Sequence, residues 1–75
     1  MSGAPFTIEV DHGVYFVSGR EADRLLNSVN FDSEDSVNWF HRSLRRLGII
    51  DALRAKGAHE GDSVVFGDME FDFVE

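Results

Sequence analysis

NFDSEDSVNWFHRSLRRLGIIDALRAKG, running from Asn30 to Gly57, holds the longest helical pattern of the chain, its only tryptophan and five of its seven basic residues. Asp32 and Ser33 both suit a helix N-cap, because a short side-chain oxygen can accept a hydrogen bond from a free first-turn amide. Glu34 and Asp35 then put negative charge at the positive end of the helix dipole, and Arg42, Arg45 and Arg46 put positive charge toward the other end. Gly48 can take the left-handed conformation that stops a helix. The pattern predicts a helix over residues 33–47.

Val37, Phe40, Leu44 and Leu47 recur at about 3.6 residues per turn and form one apolar stripe. Burying each large side chain stabilises the fold by roughly 1.5–3 kcal/mol. At about 100° per residue Trp39 points away from that stripe, beside Arg42, Ser43 and Arg46. Two readings of Trp39 stand side by side. In one, a second layer formed by the preceding helix covers it. In the other, Trp39, Arg42 and Arg46 form a partly exposed contact surface, because Trp and Arg are enriched where partners bind most tightly.

Outward from the helix, the chain reads as hairpin, helices, hairpin. Thr7–Val10 and Val14–Ser18 alternate as strands, with His12-Gly13 as the loop. Ile8, Val10, Tyr15 and Val17 then share one face. Val14 and Phe16 face the other way, so this hairpin is expected to be covered on both sides or to lie between layers. Ala22, Leu25, Leu26 and Val29 keep helical spacing over 20–29, and Phe31 is expected to plug the junction between the helices. A third short helix is expected over Asp51 to Lys56, capped by Asp51 and stopped by Gly57. Strands 63–66 and 69–74 flank a Gly67-Asp68 type II′ turn, with Phe66 opposite Met69 and Val64 opposite Phe71. The expected fold is α+β: two hairpins, most simply joined as one four-stranded sheet, packed in two layers on three helices. Residues 6–75 are expected to form one domain, with residues 1–5 a linker or cloning remnant.

Composition narrows the function classes. The formal net charge is −7 and there is no cysteine, which excludes disulfides and thiolate metal sites. Residues 57–75 hold six acids and no base, whereas residues 20–56 are near neutral with a local Arg cluster. Free nucleic acid is therefore an unlikely ligand, and one basic or mixed partner fits better. A solvated face that keeps the sheet soluble is the plain alternative for the acidic end. No apolar run approaches the length of a membrane span, about 18 residues, and no phosphate-binding glycine loop is present. His12, His41 and His59 are too far apart for ligand spacing. Asp62, Asp68, Glu70 and Asp72 read as turn and strand residues, with weak divalent-ion binding as the alternative. No metal site, cofactor site or catalytic constellation is expected.

Seven short pieces, in order, resemble the C-terminal domain of the Obg family of bacterial GTPases. They are Gly13-Val14-Tyr15-Phe16-Val17-Ser18-Gly19, Asn30-Phe31-Asp32, Leu47-Gly48-Ile49, Asp51-Ala52-Leu53, Gly57-Ala58, Glu60-Gly61-Asp62 and Gly67-Asp68-Met69-Glu70-Phe71. Each is weak alone, but the ordered set with matching gaps spans residues 6–75. The resemblance implies a module of a larger cytoplasmic protein whose separate GTPase domain uses GTP and Mg²⁺. It implies work in large ribosomal subunit assembly, growth control and the stringent response. The expected partners are the GTPase domain of the same parent chain and the large ribosomal subunit, with no membrane contact. The family's catalytic residues have no counterparts here. An alternative is a sensor in which the Arg cluster holds a phosphorylated guanine nucleotide, since the Arg fork suits phosphate.

Overall fold

The computed structural model describes residues 6–74, so the expected linker at residues 1–5 lies outside the described residues. The elements run β1 (Thr7–Asp11), β2 (Val14–Ser18), α1 (Arg20–Ser28), α2 (Glu34–Arg46), α3 (Ile49–Ala55), β3 (Ser63–Phe66) and β4 (Met69–Asp72). The sheet order is β1-β2-β3-β4. Both hairpins are antiparallel, and the central β2–β3 pair is parallel, bridged by the three helices. A parallel pair needs such a crossover, because a tight turn reverses the chain.

Local chemistry sets both hairpin registers as the alternation predicts. His12 (φ 51°) and Gly13 (φ 77°) are both left-handed, the conformation of a two-residue type I′ turn. Ile8 faces Val17 and Val10 faces Tyr15. Gly67 has φ 58° while Asp68 does not enter positive φ, as a type II′ turn requires. Phe66 then faces Met69, and Val64 faces Phe71. Backbone bonds from Phe73 to Asp62 (2.7 Å) and from Gly61 to Phe73 (3.0 Å) carry the pairing past the end of β4.

The helices cover one sheet face. Tyr15, Val17, Val64, Phe66 and Phe73 from that face meet Ala22 and Leu25 of α1, Phe40 and Leu44 of α2, and Ile49, Ile50 and Leu53 of α3 in a single core. A radius of gyration of 11.7 Å matches the ~11 Å expected for a folded chain of this length.

Five expectations are corrected. The third helix begins two residues early, at Ile49. Gly48 (φ 84°) both ends α2 and caps α3, so Ile49 and Ile50 join the first turn and are buried. Asp51 therefore lies within that turn and pairs with Arg54 at 3.0 Å rather than capping. Ser43, placed with the outward residues, is fully buried; α2 packs on α3 as well as on Phe66 and Phe71 of the sheet through Phe40. The first hairpin is covered on one side only, and there only in part: Phe16 is 39% exposed on the open side, and Val10, at the β1 edge of the helix side, is 47% exposed. Phe31 does not plug a helix junction; it remains 37% exposed and meets Phe40 edge to face (5.8 Å) and Phe71 of β4 at a tilt (5.6 Å). Phe71 is only half-buried, and Phe73 is the ring enclosed at that end.

Candidate partner-binding surface

The candidate surface depends on how firmly α2 is held. Ser33 caps it, its hydroxyl accepting from the Ser36 amide at 3.3 Å. The approach is tied down as well: the Asn30 side chain accepts from the Asp32 amide at 3.0 Å, and the Ser36 hydroxyl accepts from the Asn30 amide at 2.7 Å. Glu34 and Asp35 occupy the first turn and Arg45 and Arg46 the last, so charge and dipole agree at both ends. Phe40 anchors the middle, with ring centroids 5.5 Å from Phe66 and 5.3 Å from Phe71. The face opposite this anchor is thus presented on a rigid rod.

Trp39, Arg42 and Arg46 fall on one flank of that rod, three and four residues apart, the spacing that brings side chains together on a helix. Arg42 and Arg46 are exposed. Trp39 is half-buried and packs against the core with the rest of its ring accessible. The ring is therefore seated in part and accessible in part, on the same helix flank as Arg42 and Arg46.

His41 leaves α2 on the other side, over a cavity of about 20 Å³ lined also by Leu44, Leu53, Phe71 and Asp72. Such a volume holds about one water. Burial pushes the His41 imidazole below its ordinary value, and the nearby Arg45 charge lowers it further. Of the other histidines, His12 sits in the β1–β2 turn with Nδ1 2.7 Å from Asp11, and His59 lies in the loop before β3. Asp62 accepts from the His59 amide at 2.8 Å, so its carboxylate shapes that loop. Among the described residues no three His, Asp or Glu side chains converge as metal ligands would. No helix among them is long and apolar enough to cross a membrane.

One surface lay outside the reach of sequence reasoning. Because β2 pairs with β3, Phe16 lies beside Val65, with Glu9 and Glu70 as the next residues outward on either side. The neighbouring row runs from Asp11 and Val14 to Ser63 and Asp72. Alternation within each hairpin showed which residues turn outward; only the parallel pairing joins them into one open face.

These elements define a two-layer α+β domain with a four-stranded mixed sheet and one bare sheet face. Residues 6–73 match the family described as a domain of unknown function, DUF1967. The chain belongs to this family, the C-terminal domain of Obg-type GTPases. It is 46% identical over 69 residues to the GTPase Obg of Acetivibrio thermocellus and 48% identical over 69 residues to that of Clostridium novyi, in each case covering 92% of this chain. The GTPase Obg of Rubrobacter xylanophilus is 46% identical over 66 residues, 88% of this chain. The matched region is 16% of the length of each of these relatives.

Proposed function

We propose that this chain is a non-catalytic interaction and regulatory domain of an Obg-type GTPase, acting in the cytoplasm in large ribosomal subunit assembly and in growth or stringent control. The observation that carries the reading is the pairing of a self-contained core with a partial match. Residues 6–74 close their own hydrophobic centre, yet they correspond to 16% of GTPases to which they are nearly half identical. A part with its own core can dock and undock as a unit, so it is suited to report between a nucleotide-dependent neighbour and an outside surface. GTP and Mg²⁺ belong in this reading to the parent's GTPase domain, and no residue of this chain is assigned to them.

The partners are the GTPase domain of the same parent chain and the large ribosomal subunit. Trp39, Arg42 and Arg46 are the contact residues on α2, where a seated aromatic ring next to two guanidinium groups offers apolar area and charge together. The test is direct binding of the domain to the isolated GTPase core and to purified large subunits. A tethered version of the same pair should accompany it, because covalent linkage supplies an effective concentration of the order of millimolar. Binding to at least one partner, weakened when Trp39 and Arg42 are replaced by Ala, is expected. No binding to either, free at high micromolar concentration or tethered, would refute the reading.

A further inference from the structure

We infer that the bare face of the sheet docks a Lys- and Arg-rich amphipathic helix of a partner protein. The inference rests on the interaction-domain reading and names the partner's chemistry at a surface other than the α2 flank. Soluble antiparallel strands ordinarily turn polar side chains to water on their open face. Here the middle of that face is apolar. Phe16 is 39% exposed and Val14 and Val65 are half-covered, and no helix lies over them. The two sides are acidic. Glu9 and Asp11 stand on β1, Glu70 and Asp72 stand on β4, and all are exposed. No strand residue of this face is basic; Lys56 lines an open groove at the β1 edge together with Glu9, Asp11 and Phe16.

The dimensions select the occupant. Strands lie about 4.8 Å apart, so the carboxylates of β1 and β4 flank a channel roughly 14 Å wide. A single helix with its side chains is about 10–12 Å across. Laid along the strands, it would press an apolar stripe on Phe16 and Val65 and reach a carboxylate row with cationic side chains on each flank. A nucleic acid or an anionic membrane would meet repulsion along both rows. A second copy laid face to face would set four carboxylates against four more.

The test titrates the whole 75-residue chain with a synthetic amidated helix of Leu and Lys at amphipathic spacing, and with its Glu-for-Lys counterpart, reading backbone amide shifts by NMR. Binding of the Lys helix alone is expected, with shifts on the outward residues of β1 to β4 and affinity that falls as salt rises. Phe16→Ser should weaken it about tenfold through lost apolar contact. Glu9→Lys with Glu70→Lys should weaken it further while the melting temperature stays within a few degrees. No binding at millimolar peptide overturns the inference. So do equal binding of the Glu helix, shifts confined to α2, or a dimer in sedimentation that Phe16→Ser dissolves. If the Lys helix fails while the domain still binds the GTPase core or large subunits, this face is misassigned and the interaction-domain reading stands. If all three fail, both fall.

Discussion

Phe40→Ala is the sharpest probe of how this small domain is held. The Phe40 side chain has no exposed surface. Its ring centroid lies 5.8 Å from Phe31, 5.5 Å from Phe66 and 5.3 Å from Phe71, tying α2 to the loop before it and to β3 and β4. Truncating a buried Phe costs about 3–5 kcal/mol, and aromatic pairs of this geometry add roughly 0.5–1.5 kcal/mol each, not additively. The loss should fall near the upper end, about 4–5 kcal/mol. At about 0.05–0.15 kcal/mol per residue, a domain of this length has about 4–11 kcal/mol in total. The variant should be marginally folded or unfolded at room temperature. Half-buried Phe71→Ala should lose about 2 kcal/mol, and Phe16→Ala, on the bare face, less than about 1 kcal/mol. Urea unfolding followed by far-ultraviolet circular dichroism gives all three from one series. The order Phe40, Phe71, Phe16 is the consequence of a sheet covered on one side. A Phe16→Ala loss as large as that of Phe40→Ala would refute it, because Phe16 would then have to lie between two layers.

Four further outcomes are expected. Gly67→Ala and Gly48→Ala should each destabilise, since both positions have positive φ, at about 1–2 kcal/mol for a side chain; the tip of Leu26, 2.9 Å from an added Cβ at Gly67, can shift aside, and nothing meets one at Gly48; an unchanged midpoint in urea for either variant would contradict this. Ser43→Ala should be neutral or stabilising by up to about 1 kcal/mol, since the fully buried hydroxyl has no hydrogen-bond partner and removing it relieves a desolvated polar group; a clear loss in melting temperature would contradict it. For His41, a folded-state value held below 6.5 means the unfolded chain binds the proton more readily, so its contribution is fully present above that value and is lost as pH falls below it; the stability difference between the native chain and His41→Gln should change across that window and be flat above it. Trp39→Ala with Arg42→Ala and Arg46→Ala should leave the unfolding free energy within about 1–2 kcal/mol of the native chain while partner binding drops, and a fold that collapses with binding would make Trp39 a core residue only.

What could be read in the chain beforehand was what local chemistry decides. Alternation and positive-φ turn residues set both hairpin registers, and Ser33 with its acidic first turn set the start of α2 to within a residue. The β2–β3 pairing could not be read, because the intervening helices bring Tyr15 beside Val64 from far along the chain. The start of α3 was misplaced for a local reason: Gly48 stops one helix and opens the next with no side-chain cap to mark it. Its end was legible. Gly57 and Ala58 bond back to Arg54 and Leu53 at 2.9 and 3.0 Å, and buried Ala58 sits by Leu53, the glycine-terminated arrangement that closes many helices. The shared flank of Trp39, Arg42 and Arg46 followed from helical periodicity alone. The burial of Ser43 did not, since it depends on tertiary packing that periodicity along α2 does not show. The acidic C-terminal segment read as a contact for a basic or mixed partner or as a solvated face; that its Glu70 and Asp72 stand across one open face from Glu9 and Asp11 required the β2–β3 pairing.

Occupancy of large ribosomal subunits by the parent GTPase, measured by sedimentation with and without residues 6–75 at matched GTP and Mg²⁺, tests the central claim most directly. Removal of the domain should lower occupancy at least tenfold or abolish its dependence on nucleotide, while the GTPase core still hydrolyses GTP. Unchanged occupancy and unchanged nucleotide dependence in the truncated protein would contradict the account.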